Sequence, residues 1–288
     1  ETGANLIVTR GSSEAIDALI RAWCRAYASS VITTPPTFDM YRVYAEIQGA
    51  AIIHVPLAAD DFRLDADTVL SSCAADTRLV FLCSPNNPTG TLVPEADILR
   101  IADGLDGRAI VVVDEAYIEF AERESIADAA LGRNNVVVLR TLSKAYALAG
   151  ARCGVAIAAA PLIDVMSKVL PPYSFPTPVV ETVIEALSAE RLPASRAAVD
   201  GIIRERTRVR SALDALPCVS NTWPSDANFV LTRFADLPGV LAYLRERGIL
   251  IRSFGDTDGL QSCARITIGA AAENGALLDA LEAFGRPG

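Results

Sequence analysis

Short apolar runs rich in β-branched residues alternate with stretches of helical periodicity through the first two-thirds of this chain. This alternation constrains the fold most, because strands separated by helices favour a mostly parallel sheet covered on both faces. Apolar residues recur at helical spacing from Ile16 to Tyr27, and the serines before them are natural N-caps, which predicts a first helix beginning at Ser12 or Ser13. The strand-like runs lie at residues 30–33, 51–55, 78–83, 109–113, 136–140 and 154–158.

A proline-rich run at residues 171–178 marks a change in character and is the candidate domain boundary. The chain has 288 residues, enough for roughly two domains at about 150 residues each. We predict a large domain at 1–178 and a smaller C-terminal α/β domain at 179–288 with a long connecting helix. The elements predicted in the smaller domain are a helical stretch at 179–216, a helix at 237–247, and strands at 228–231, 249–252 and 264–268.

Charge and hydropathy exclude several classes of partner. The chain has 26 Lys and Arg against 35 Asp and Glu, a formal net charge of −9, which argues against a nucleic-acid or anionic-membrane surface. No run of about 18 apolar residues is present, so a transmembrane span is not expected. An anionic ligand would therefore be held by a few placed basic groups, and the expected partners are small molecules.

The cysteine and histidine content narrows the chemistry. Six cysteines are scattered singly with no C-x-x-C pair, which is typical of reduced thiols in a cytoplasmic protein. The single histidine, His54, lies in an apolar run and is interpreted as structural. One histidine excludes a histidine-cluster metal site and weakens any Ser/His/Asp triad, so no metal is expected. The chemistry must use something other than histidine.

Three segments carry residues suited to catalysis. Asp114 ends a buried-looking strand and Tyr117 follows three residues on, where ligands of open α/β sheets bind, although Asp114 could instead cap the next turn. Lys144 lies among small and apolar residues, a setting that favours a depressed pKa and Schiff-base chemistry, unless it is simply an exposed loop lysine. Arg152 could bind phosphate. Residues 84–90 form a turn in which Asn87 could orient a ligand.

These segments in this order resemble the fold type I pyridoxal-phosphate aminotransferases, and among them the histidinol-phosphate aminotransferases. The resemblance runs from about residue 5 to residue 285. It implies a homodimer with a large domain built on a mixed, mostly parallel seven-stranded sheet, a smaller C-terminal domain, and pyridoxal 5′-phosphate as cofactor. The segments that carry it are residues 11–14, 36–41, 84–90, 114–117, 141–154 and 265–269.

The resemblance also implies roles for residues around the cofactor ring. Lys144 would attach the cofactor and then, as a free amine, move a proton at the substrate α-carbon. Asp114 would pair with the pyridine nitrogen and keep it protonated, while Asn87 and Tyr117 would hydrogen-bond the phenolic oxygen. Phe38 would stack on the ring, at a position where the family usually has tyrosine. Lys144, Asp114 and Tyr117 are thus the expected catalytic residues.

The phosphate and substrate sites follow from the same resemblance. Backbone N–H groups of Ser12 and Ser13 at the start of the first helix would bind the cofactor phosphate, with Ser143 and Arg152 closing that site. Family members often have aspartate in place of Ser13. For the substrate, the expected binding residues are Arg265 for the α-carboxylate of glutamate, Arg252 for the phosphate of histidinol phosphate, and Asn87.

The implied reaction exchanges an amino group between glutamate and imidazole-acetol phosphate. Alternatives on the same scaffold are an aromatic amino-acid aminotransferase, a decarboxylase of an amino-acid phosphate, and a non-catalytic binding or regulatory protein. A nicotinamide-binding Rossmann protein is disfavoured, because no G-x-G-x-x-G follows an early strand. The chain opens at Glu1 without the N-terminal arm by which relatives contribute a tyrosine to the neighbouring subunit's phosphate site, so that arm is expected to be missing.

Overall fold

The structure, a computed structural model, describes residues 2–285. In this part of the chain a large sheet of seven strands has the order β1-β7-β6-β5-β4-β2-β3. The strands β2 to β6 run parallel to one another, whereas β7 is antiparallel to both β6 and β1. The mixed, mostly parallel seven-stranded sheet is therefore confirmed. Its strands are β1 Leu6–Thr9, β2 Ser30–Thr33, β3 Ala51–His54, β4 Thr77–Cys83, β5 Ile110–Asp114, β6 Val136–Thr141 and β7 Gly154–Ala158.

Helices cover both faces of this sheet. Along β4, Leu79 and Phe81 pack with Leu19 on one face, whereas Val80 and Leu82 pack with Ile98 on the other. Burial on both faces explains why the central strands are continuous apolar runs rather than alternating ones. The helices of this part are α1 Ser12–Trp23, α2 Met40–Gln48, α3 Ala66–Ser72, α4 Glu95–Gly104, α5 Ala127–Leu131 and α6 Ala160–Ser167.

A second, antiparallel sheet follows in the C-terminal part, with the order β10-β11-β9-β8. Its core joins the sheet to the helices that follow and precede it, through residues such as Val230, Ile266 and Leu213. The elements are α7 Thr177–Ala186, α8 Leu192–Asp214, β8 Val219–Thr222, β9 Phe229–Phe234, α9 Leu237–Glu246, β10 Arg252–Ser253, β11 Cys263–Thr267 and α10 Ala271–Phe284. No helix among the described residues is both long and apolar enough to span a membrane.

Three sequence predictions need correction. The helical stretch at 179–216 is two helices, α7 and α8, separated at residues 187–191. The strand expected at 249–252 begins only at Arg252, because Ile249 and Ile251 pack against the small core without joining the ladder. The first helix begins at Ser12 as expected, but its N-cap is Gly11 rather than a serine.

Two strands, β1 and β8, were not predicted. Both are only four residues long and partly exposed: β1 has a short apolar run that pairs at the edge of the large sheet, and β8, with the sequence Val-Ser-Asn-Thr, has no apolar run at all. Residues 1 and 286–288, where the predicted domain ranges begin and end, lie outside the described residues.

Residues between β8 and β9 contact two loops at the edge of the large sheet. The Gly90 carbonyl accepts a hydrogen bond from the Asp226 N–H at 2.8 Å, and a Cβ at position 90 would lie 2.2 Å from the Ser225 Oγ. The Trp223 Nε1–H donates to the Asp60 carbonyl oxygen at 2.9 Å. The turn after β4 is thus fitted against the smaller unit.

Candidate active site

One cavity lies at the carboxyl ends of β4, β5 and β6, which meet at the same edge of the large sheet. This is where open α/β sheets bind ligands. All of the predicted cofactor-binding residues line it, and Cys83, Ala116 and Thr141 line it in addition. The predicted residues are Ser12, Ser13, Phe38, Asn87, Asp114, Tyr117, Ser143, Lys144 and Arg152.

Asp114 is the last residue of β5, and its carboxyl group is buried. Its Oδ1 accepts a hydrogen bond from the Ala116 N–H at 3.1 Å, and its Oδ2 accepts one from the Tyr41 hydroxyl at 2.8 Å. Burial raises the pKa of Asp114 to about 6, while the two hydrogen bonds oppose that rise. Asp114 therefore stabilises the turn that follows β5 and also presents a carboxylate to the cavity at neutral pH.

Tyr41 was missed as a site residue by sequence reasoning. It lies in the first turn of α2, three residues after Phe38, and its ring is fully buried and stacked on Phe81 with centroids 4.7 Å apart. Phe38 packs edge-on against Tyr41 at 5.5 Å. The available signal was the three-residue spacing from Phe38, because a turn in which the Tyr41 N–H donates to the Phe38 carbonyl oxygen at 3.4 Å brings the two rings together.

Lys144 and Arg152 come from one connection, the residues between β6 and β7. The antiparallel pairing of Thr141 with Gly154 closes this connection, and the Leu142 N–H donates to the Cys153 carbonyl oxygen at 3.0 Å. The Lys144 Nζ lies 5.3 Å from the centroid of the Tyr117 ring. Partial burial lowers the pKa of Lys144, nearby Arg265 and Arg152 lower it further, and Asp114 opposes them. The lysine is thus biased towards its neutral, nucleophilic form.

Tyr117 is buried beside Lys144 and packs edge-on against Phe229, with ring centroids 5.1 Å apart. Burial raises the pKa of its phenol well above the usual range, nearby Cys83 and Asp114 add to this rise, and Arg265 opposes it. The phenol therefore stays protonated and can donate a hydrogen bond into the cavity.

The start of α1 faces the same cavity through a glycine. Gly11 has φ +75°, a backbone conformation that favours glycine, and a Cβ there would lie 2.7 Å from an Nη atom of Arg152 and would displace the guanidinium from the helix start. Gly11 also has no side chain with which to cap the helix, which leaves the first N–H groups, including those of Ser12 and Ser13, for a ligand. The Arg152 Nη1 donates to the Ala149 carbonyl oxygen at 3.1 Å and lies 3.5 Å from the Ser143 Oγ. Free backbone donors beside a cation form an anion site.

Arg252 and Arg265 lie directly opposite each other on the paired strands β10 and β11. Like charges opposite each other destabilise a sheet, so this pair favours an anionic ligand. The Arg265 Nη1 donates to the Asn87 Oδ1 at 2.5 Å, and its buried Nε has no hydrogen-bond partner among the described residues. Both arginines line a second recess that shares Phe38 and Asn87 with the first cavity.

Asn86, which sequence reasoning left in the turn, anchors the loop that presents Asn87. Its Nδ2 donates to the Pro36 carbonyl oxygen at 2.9 Å and to the Thr89 Oγ1 at 2.8 Å, and its Oδ1 accepts from the Thr37 hydroxyl at 2.7 Å. Asn86 is buried, so its amide joins the loops after β2 and β4 into one wall of the site.

His54 lies at the end of β3 on the rim of the second recess. Its Nδ1 is 3.0 Å from the Thr33 Oγ1 on the neighbouring strand. The six cysteines are free thiols, and all but Cys73 are buried. Among the described residues no group of three His, Cys, Asp or Glu side chains is arranged to hold a metal ion.

Comparison with known proteins agrees with this geometry. The family described as aminotransferase class I and II matches residues 1–284. A histidinol-phosphate aminotransferase of Stenotrophomonas maltophilia is 43% identical over 98% of this chain and 78% of its own length. Histidinol-phosphate aminotransferase 1 of Pasteurella multocida is 41% identical over 97% and 79%. The chain belongs to the histidinol-phosphate aminotransferases, within the class I and II aminotransferases.

A solved relative supports the same membership. The histidinol-phosphate aminotransferase of Sinorhizobium meliloti, whose structure is a complex with pyridoxal 5′-phosphate, superposes with a TM-score of 0.87 at 26% identity. The match covers 98% of this chain and 77% of that one. The fold type I expectation is confirmed, as is the expectation that the chain is an enzyme of the aminotransferase type.

Proposed function

We propose that this chain is a pyridoxal-phosphate aminotransferase that interconverts L-histidinol phosphate and 2-oxoglutarate with imidazole-acetol phosphate and L-glutamate. The observation that carries the proposal is the arginine pair of β10 and β11 beside the cavity that contains Lys144 and Asp114. One cation suffices for an amino-acid carboxylate, and the second suits a substrate with a phosphate. The names of the curated relatives support the same reaction in histidine biosynthesis.

The donor set of the first cavity fits pyridoxal phosphate. The uncapped start of α1, with Ser12, Ser13, Ser143 and Arg152, offers backbone and side-chain donors for a phosphate. Buried Asp114 offers an acceptor for the pyridine nitrogen in the same cavity. The groups proposed to contact the ring are the Asn87 amide, the Tyr117 hydroxyl and the Phe38 ring.

When bound, pyridoxal phosphate supplies an electron sink that stabilises negative charge at the substrate α-carbon. Lys144 would move a proton between the substrate α-carbon and the cofactor carbon. Its lowered pKa leaves a larger fraction of the amine neutral and able to accept that proton. Asp114 acts as a hydrogen-bond acceptor that keeps the ring nitrogen protonated. Tyr117, protonated over the physiological range, donates to the ring oxygen.

Arg265 is proposed to bind the α-carboxylate of glutamate and Arg252 the phosphate of histidinol phosphate. Asn87 holds the Arg265 guanidinium in place through its Oδ1, and the ring of Phe229 lies 5.0 Å below the same guanidinium. With two contacts fixed, the remaining N–H groups of Arg265, including the unpartnered Nε, are oriented before a substrate arrives.

The reaction is tested by comparing kcat/KM for histidinol phosphate and phenylalanine with 2-oxoglutarate as acceptor. A preference for histidinol phosphate supports the proposal, and a clear preference for phenylalanine refutes it in favour of an aromatic amino-acid aminotransferase. Release of CO2 from an amino-acid phosphate would instead identify a decarboxylase. Failure to bind added pyridoxal phosphate would favour a non-catalytic protein.

We also propose that the chain works as a homodimer in the cytoplasm, with domains at 1–178 and 179–288. None of the described side chains of α7 is buried, and the apolar side chains of Val180 and Ile184 are 41% and 66% exposed. An apolar helix surface of this kind suits a second copy of the chain. Ile184→Glu is expected to shift the protein from dimer to monomer in light scattering, and an unchanged dimer would contradict this interface.

A further inference from the structure

We propose that Tyr41 is a positioning residue: its hydroxyl holds the Asp114 carboxylate in the orientation and ionised form that accept the cofactor's pyridine nitrogen. This inference rests on the proposed use of pyridoxal phosphate. Tyr41 does not line the first cavity, so it would act only through Asp114.

The hydrogen bond is built from both sides. The Tyr41 ring is fully buried and stacked on Phe81 with an interplanar angle of 8°, and Phe38 packs against its edge. The hydroxyl therefore has little freedom to turn away from the Asp114 Oδ2, 2.8 Å from it. Residues 114 and 41 are far apart in sequence, on β5 and α2, so this contact fixes the strand end against the helix start.

The geometry leaves room on the carboxylate for a ligand. A carboxylate has about four acceptor sites, and Asp114 uses one on Oδ1 for the Ala116 N–H and one on Oδ2 for Tyr41. Two donors on different oxygens define the plane of the group, while the remaining sites stay available on the cavity side. The Cys83 thiol donates to the Pro85 carbonyl oxygen at 3.4 Å and also lies within hydrogen-bonding reach of the Tyr41 hydroxyl, so it is a neighbour of the hydroxyl as well as of the cavity.

The bond also favours the ionised form of Asp114, together with the Ala116 N–H and nearby Lys144. Asp114 is buried, and burial alone favours the protonated acid, which could not accept a proton-bearing nitrogen as an anion. The Tyr41 hydroxyl bonds the ionised form and opposes burial. A tyrosine that merely filled space would stabilise the fold equally whether or not the ligand ring contained nitrogen, and this difference separates the two roles.

The experiment compares two ligands on the apoprotein, pyridoxal phosphate and its 1-deaza analogue, in which CH replaces the ring nitrogen. For Tyr41→Phe, which keeps the stacked ring, we expect the Kd of pyridoxal phosphate to rise about tenfold and that of the analogue to change less than about twofold. Tyr243→Phe is the matched control, because Tyr243 packs on Phe284 in the smaller unit, away from the site. It should leave both Kd values unchanged.

Equal weakening of both ligands, or no change in either, would overturn the proposal. If the wild-type chain binds no pyridoxal phosphate, the proposed function fails as well, so the two failures are told apart by the wild-type titration. If Tyr41→Phe does not fold, the same two Kd values are measured with 3-fluorotyrosine at position 41, where the Kd of pyridoxal phosphate should fall instead of rise. Its stronger donor should tighten pyridoxal phosphate alone, and an equal effect on the analogue would refute the role.

Discussion

Replacing Arg252 by glutamine should separate the two substrates of the exchange. Arg252 lies opposite Arg265 across β10 and β11, and its side chain is exposed. We expect kcat/KM for histidinol phosphate to fall while the half-reaction with glutamate, for which Arg265 is the proposed binding residue, changes by less than about twofold.

The magnitude follows from the contact that is lost. A hydrogen bond to a charged group contributes about 1.5–3 kcal/mol, which corresponds to a loss of roughly 10- to 150-fold. Because Arg252 is exposed to solvent, which screens its charge, we expect the lower part of that range, about tenfold to thirtyfold. Removing one of two opposed cations should also relieve about 0.2–1 kcal/mol of repulsion, so the variant should unfold at the same or a slightly higher temperature.

The assay is single-turnover absorbance of the cofactor with each substrate alone, combined with thermal unfolding. Arg245→Gln, an exposed arginine at the end of α9, serves as a control for charge and should leave both half-reactions unchanged. Equal losses with glutamate and histidinol phosphate would refute the division of labour between the arginines. A marked fall in stability would show that Arg252 supports the sheet rather than a ligand.

Three further outcomes are expected. Gly154→Ala should lower the free energy of unfolding by about 1–3 kcal/mol in denaturant titrations, because its Cβ would lie 2.8 Å from backbone atoms of Gly11 and Ser12; unchanged stability would contradict this. Burial raises the pKa of Asp114 to about 6 from its usual 3.8, so this carboxyl destabilises the apoprotein progressively between about pH 4 and pH 6 and by a constant amount above pH 6; Asp114→Asn should therefore gain up to about 3 kcal/mol relative to wild type above pH 6 and nothing below pH 4. Parallel stability profiles over that interval would argue against it. Lys144→Ala should lower amino transfer at least about 100-fold and abolish borohydride-trapped cofactor on the protein by mass spectrometry, whereas retained labelling would place the attachment elsewhere.

The central strands were predictable because burial on both faces leaves a strong local pattern. Runs such as residues 109–113 are apolar throughout, and the structure places β5 at Ile110–Asp114. Strand β8 has the sequence Val-Ser-Asn-Thr and is partly exposed, so it has no apolar pattern of its own and is defined only by its pairing with β9. The local sequence pattern therefore predicts the central strands of the core but not the strands at the sheet edges.

For the site, the resemblance placed residues that have a recognisable type and spacing, and it could not supply those that act through space. Tyr41 meets Asp114 across 73 positions of sequence, and Asn86 meets Pro36 across 50. Gly11 is required by the approach of Arg152, a contact that exists only after β6 and β7 have paired. Such residues become visible when the packing is known.

The tight fit between Gly90 and Ser225 has a consequence for engineering. A graft that exchanges the C-terminal unit for that of a relative, in order to change substrate preference, keeps this fit only where the relative has a residue no larger than serine at position 225. Any side chain larger than serine there would push on the turn that carries Asn87, because Gly90 leaves no space for displacement. Successful grafts should therefore exchange residues 84–90 and 223–229 together as one cassette.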